Sequence, residues 1–93
     1  MFVLSDLVRK RAEITVRSTT TGALLIDLMS GRCWQLNRLG AEFLSEIETE
    51  KSLHDVFNLM ENRYNVSREV LERDLLRLAQ ELLDAGLIER PGK

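Results

Sequence analysis

A thiol or imidazole can do chemistry only with a partner beside it, and this chain offers one of each, Cys33 and His54. Cys33 falls in a run with strand character and His54 in the first turn of a helix, and no Asp or Asn stands out as a third member. Cys33 reads as a small packing residue and His54 as a solvated helix residue. One Cys and one His cannot assemble a zinc site or an internal disulfide framework. The five glycines, at 22, 31, 40, 86 and 92, are isolated, so no loop cradles a phosphate. The carboxylates of Glu46, Glu48, Glu50, Glu69, Glu72, Asp74, Glu81 and Asp84 fall on polar helix faces beside Arg and Lys, as a solvated surface requires. No catalytic residue, no metal ligand set and no cofactor is expected. The chain reads as a binding domain and not as an enzyme.

Its 93 residues make one domain, expected over 1–93 with loose ends at 1–10 and 90–93. Thirteen Lys and Arg against fifteen Asp and Glu leave a net charge of −2, a poor match to a polyphosphate, so no nucleic-acid partner is expected. No stretch reaches the roughly 18 apolar residues of a membrane span. The opening apolar run is too short and lacks the basic lead of a secretory signal. These features predict a cytoplasmic protein with no membrane association, in which Arg9, Lys10 and Arg11 serve solubility.

Alternation at Ala12, Ile14 and Val16 predicts a strand over Ala12 to Arg17, closed by the turn Ser18 to Gly22. Ala23 to Met29 and Arg32 to Leu36 predict two further strands around a two-residue Ser30-Gly31 turn. That turn would set Met29 opposite Arg32, Asp27 opposite Trp34 and Leu25 opposite Leu36. Both faces of this hairpin carry apolar groups. Asn37 caps a helix from Arg38 to about Glu48 with Leu39, Phe43, Leu44 and Ile47 inward. Ser52 caps a second, Leu53 to about Arg63, with Leu53, Val56, Phe57 and Met60 inward. Ser67 caps a third, about Arg68 to Ala85, stopped by Gly86 in a left-handed conformation. The apolar arc of the third helix, Leu71, Leu75, Leu78, Ala79, Leu82 and Leu83 with Leu76 and Ala85 at its margins, is wider than one packing seam needs. The class is α+β, a three-stranded antiparallel sheet followed by three helices.

Gly22-Ala23-Leu24-Leu25-Ile26-Asp27 followed by Ser30-Gly31-Arg32-Cys33-Trp34-Gln35-Leu36-Asn37-Arg38-Leu39-Gly40-Ala41 resembles the pattern of the PqqD-like family, and closely that of its lasso-peptide biosynthesis members. Leu71-Glu72-Arg73-Asp74-Leu75-Leu76 with Leu82-Leu83-Asp84-Ala85-Gly86-Leu87-Ile88 resembles the family's closing helix, so the similarity covers about residues 12 to 89. One departure is Cys33-Trp34, where family members more often carry two smaller aromatics. The resemblance implies a winged helix-turn-helix topology and a recognition element that binds the leader of a ribosomally made precursor peptide. It also implies work beside a separate leader peptidase of the cysteine-protease type, before a cyclase closes the ring.

A physical mechanism accompanies that implication. The strand Arg32 to Leu36 would be a sheet edge, and an extended peptide could add to it as a fourth strand. Arg32, Cys33, Trp34, Gln35 and Leu36 are therefore candidate peptide-binding residues. Apolar side chains of the peptide would enter a groove toward the third helix at Leu78, with Asp74, Arg77 and Glu81 on its rim. Leu76 and Leu83 border the opposite flank. Two rival functions share this topology. A DNA-binding winged helix should carry several basic residues on its recognition helix, whereas the second helix offers Arg63 beside Asp55 and Glu61. A scaffold that meets only a protein partner would look almost the same in sequence.

Overall fold

The computed structural model describes residues 2–91. The chain runs β1 (Leu7–Lys10), β2 (Ile14–Ser18), β3 (Gly22–Asp27), β4 (Cys33–Asn37), α1 (Arg38–Glu46), β5 (Lys51–Ser52), α2 (Leu53–Glu61), α3 (Arg68–Asp84) and β6 (Ile88–Glu89). β2, β3 and β4 form an antiparallel sheet in that order, the expected three strands before three helices, and a second small sheet has the order β5-β1-β6.

The helices start where hydroxyl or amide side chains cap them. Asn37 accepts from the Gly40 amide, Ser52 from the Asp55 amide and Ser67 from the Val70 amide, each satisfying a donor that the first turn leaves without a partner. α3 ends at Gly86, whose φ of 78° suits glycine. There the Gly86 amide donates to the Leu83 carbonyl and the Leu87 amide to that of Leu82, a closed C-terminal motif. α1 lies on β3 and β4, and α2 lies on α3. Phe43, Leu44, Ile47, Leu53, Val56, Phe57, Met60, Leu75 and Ala79 fill one continuous core with Ile14, Ala23 and Leu25 of the sheet.

The segment expected to be loose at 1–10 is tied down over its described part. Val8 is 0% exposed and Phe2 2%, and β1 pairs with β5 at Leu7–Ser52 and with β6 at Arg9–Glu89. The carbonyls of Asp6 and Leu4 accept the Leu53 and His54 amides at 2.9 and 2.8 Å. These are the next two free donors of α2, beside the one that Ser52 takes. Nor are Arg9, Lys10 and Arg11 a solvated triplet. Arg9 pairs with Glu89, Arg11 with Glu13, and Lys10 reaches the Ile14 carbonyl at 2.7 Å and Glu48 at 3.8 Å. At the other end, Gly92 and Lys93 of the expected loose tail lie outside the described residues.

The hairpin register differs from the expected one by two residues. Leu25 stands opposite Trp34, Ala23 opposite Leu36 and Ile26 opposite Cys33. The cause is Asp27, whose carboxylate accepts the Met29 and Ser30 amides at 2.9 and 3.4 Å and so turns the chain two residues early, through a four-residue loop. Gly31 completes the loop at φ 77°, and the Ser30-Gly31 pair becomes its second half. Leu28 and Met29, expected at the end of a strand, form the tip and are 68% and 83% exposed. A slip of two preserves which face each side chain occupies.

Candidate functional site

The face and the edge of β4 follow from that register. Trp34 and Leu36 are half-buried against the core, whereas Cys33, Gln35 and Asn37 are exposed. Ile14, Val16, Ala23 and Leu25 share the inner face with them, and Thr15, Arg17, Leu24 and Ile26 share the outer face with Cys33 and Gln35. The indole of Trp34 therefore packs inward. The Arg32 guanidinium lies over its ring, 5.4 Å from the centroid, an exposed cation on a half-buried π face.

β4 is an outer strand of its sheet. In an antiparallel ladder, successive residues turn their N–H and C=O alternately toward one neighbour and the other. The Asp27 amide donates to the Arg32 carbonyl, so the Leu25–Trp34 and Ala23–Leu36 pairs are the mutually bonded ones. Cys33 and Gln35 then direct their N–H and C=O away from β3, to the open side. They form a short row of main-chain donors and acceptors about 7 Å long.

The opposite edge is less available. β2 turns the main-chain groups of Ile14, Val16 and Ser18 outward by the same alternation. The Ile14 amide already donates to the Arg11 carbonyl, and the Ile14 carbonyl accepts Lys10 Nζ. A lysine across an edge strand is a common protection against pairing with another chain. The β2 edge is thus blocked at Ile14, with Val16 and Ser18 still turned outward, whereas the outward groups of β4 carry no such block among the described residues.

The structure divides the residues expected around the third helix. At about 100° per residue, Asp74, Leu78 and Glu81 stand on one flank of α3, and Arg77 stands with Arg73, Leu76 and Gln80 on the far side. Leu78 is half-buried on the core and Glu81 is exposed. The groove that stands open on α3, about 510 Å³, is lined by Phe2, Arg73, Leu76, Arg77 and Gln80. It contains neither Leu78 nor any β4 residue, and the helix packed on β4 is α1. Phe2 forms part of it because the first residues lie against α3, a tertiary contact with no periodic signal in the sequence.

Polar geometry elsewhere is structural. Tyr64 donates its phenol hydrogen to Glu42; burial, then this bond, pushes its pKa up to about 12. Arg63 pairs with Glu46 at 2.9 Å, so the one basic residue expected on a recognition helix is engaged with α1. Cys33 is an exposed thiol. Among the described residues no group of three or more His, Cys, Asp or Glu could hold a metal ion, and no helix is long and apolar enough to cross a membrane.

No curated protein matches the chain. Solved structures do. One is the lasso peptide synthetase B1 complexed with the leader peptide, at 34% identity over 88% of this chain and 96% of that one, with a TM-score of 0.76. A second is TbiB1 in complex with the TbiA(beta) leader peptide, at 21% identity over 91% and 99%, with a TM-score of 0.80. A third, at 17% identity over 97% and 96% and also with a TM-score of 0.80, is the PqqD truncation of Methylobacterium extorquens PqqCD, described as a stand-alone recognition element for ribosomally synthesized and modified peptides. The family model of coenzyme PQQ synthesis protein D matches residues 22–88, a span from the first residue of β3 to the first residue of β6, and the chain belongs to the PqqD family.

Proposed function

We propose that this protein binds the leader region of a ribosomally made precursor peptide of the lasso type, without catalysing a reaction on it. The observation that carries the reading is the open edge of β4, where Cys33 and Gln35 turn their main-chain groups outward, while Lys10 blocks the opposite edge at Ile14. The leader adds there as a further strand. Main-chain pairing supplies affinity with little sequence choice. Choice comes from peptide side chains that alternate across the sheet, one set meeting Arg32, Trp34 and Leu36 and the other meeting Cys33 and Gln35. On the inner side, Asp74, Leu78 and Glu81 on α3 are the next surfaces such side chains would reach, whereas Arg77, expected with them, stands on the far side of the helix. The relatives solved with leader peptides support this reading, one of them at 34% identity.

The finer topology is also part of the proposal. α2, the turn 62–67 and α3 would be the helix-turn-helix, with the β3–β4 hairpin as its wing. The same proposal holds that the protein works in the cytoplasm and presents the held leader to a peptidase of the cysteine-protease type, and then to a cyclase. Titration of the purified protein with the leader encoded beside its gene, and separately with the core peptide, tests it. Saturable binding of the leader alone is expected. No leader binding at high micromolar concentration would leave the scaffold function instead.

A further inference from the structure

We propose that the groove on the far side of α3 is a second docking surface, one that takes a segment of another protein carrying a large apolar side chain beside carboxylates. It goes beyond leader binding, because no β4 residue lines it.

Its floor is apolar and built. Phe2 is 2% exposed and is clamped from one face by the Arg90 guanidinium, 4.3 Å from the ring centroid. Arg90 is itself held 3.9 Å from Asp6. Leu76 supplies the rest of the floor, half-buried although it packs on the core. The volume of about 510 Å³ lies within the roughly 300–1,000 Å³ of ligand sites.

Its rim is cationic on a chain whose net charge is −2. Arg73 and Arg77 stand one helical turn apart along the groove. Arg73 has only its neighbour Asp74, at 3.6 Å and well exposed, and Arg77 has no ion pair among the described residues. Gln80 donates through Nε2 to Asp84, while its Oε1 is buried with no donor in reach. An incoming chain thus meets an apolar floor and two guanidiniums that favour carboxylates. A lysine-flanked segment meets repulsion at the same place. Carboxylates beside an apolar anchor are the chemistry that answers both features.

The test is a titration of the isotopically labelled protein with three synthetic hexapeptides, followed by the amide signals. One carries Leu-Trp between pairs of Glu, one carries Leu-Trp between pairs of Lys, and one carries Gly-Gly between pairs of Glu. The first should shift Arg73, Leu76, Arg77 and Gln80 at low millimolar concentration, and the other two should bind at least several-fold more weakly. Arg77→Glu should weaken the first peptide several-fold with unchanged helical circular dichroism. The same shifts should persist when leader saturates the protein. Shifts centred on β4, loss of the effect under leader, an equal response to the lysine peptide, or no response would each overturn the proposal. A dimer that the first peptide dissolves would overturn it too, by assigning the groove to a second copy.

Discussion

The Asp27 amide donates to the Arg32 carbonyl at 2.9 Å, and that bond decides which main-chain groups of β4 face outward. With Asp27–Arg32 as a bonded pair, Cys33 and Gln35 point to the open side. Gln35→Pro removes one outward donor and leaves every β3–β4 bond intact, since proline is tolerated where an edge N–H faces solvent. The leader is expected to bind about tenfold more weakly, from one lost hydrogen bond and the ring's obstruction. Stability should change by no more than about 0.5 kcal/mol. Leu36→Pro, one residue on, breaks a bond to Ala23 and should cost about 2 kcal/mol or more. Paired denaturation and binding curves check both.

Trp34 serves the core as well as the edge. It faces Leu25 and packs inward, so Trp34→Ala should lower stability by about 2 kcal/mol, less than for a fully buried aromatic. Urea unfolding monitored by the helical circular dichroism measures this. A fully stable variant would mean that the indole does not contribute to the core.

Lys10 is expected to protect the β2 edge. Lys10→Met removes the bond to the Ile14 carbonyl and should cost about 1–2 kcal/mol, as for a charge-assisted hydrogen bond. It should also raise self-association, because the freed β2 edge can pair with another chain. Sedimentation of the wild type and variant at matched concentrations gives the answer.

The hairpin loop is expected to depend on pH through Asp27. The Met29 amide, above all, and then Ser30 hold the Asp27 carboxyl below its usual 3.8. A depressed value stabilises the folded form above the unfolded pKa, and the contribution disappears as pH falls through the lower folded value. The Met29 and Ser30 amides should therefore lose exchange protection only in acid below the ordinary carboxylate range, and in Asp27→Asn that pH dependence should vanish.

Tyr64 has the opposite sign. Its pKa is raised to about 12, so its contribution is complete below 10 and is lost as pH rises through the folded value. Absorbance titration of the phenol should give a midpoint near 12 in the folded protein, and Tyr64→Phe should cost about 1 kcal/mol at neutral pH.

These expectations also mark what the sequence disclosed. Asn37, Ser52 and Ser67 announced the helix starts because capping is a local event within four residues. The open edge was legible too, since β4 is the last strand of a three-strand meander. The register was not, because a two-residue turn and a four-residue loop both fit Asp27 to Arg32, and only the Asp27 carboxylate's own bonds choose between them. β1, β5 and β6 were hidden for another reason. They are two to four residues long, with no alternation to detect, and Arg9 meets Glu89 across 80 residues of chain. Phe2 in the α3 groove was hidden likewise, whereas the separation of Arg77 from Leu78 was legible in the 100° per residue of a helix.

The most direct test of the edge is hydrogen exchange at single amides of the leader-bound and free protein. Leader should slow exchange at Cys33 and Gln35, whose N–H groups it would cover, with little change at Trp34 and Leu36, already bonded to β3. Saturating leader that leaves Cys33 and Gln35 as fast as in the free protein, while amides elsewhere slow, would contradict strand addition at β4.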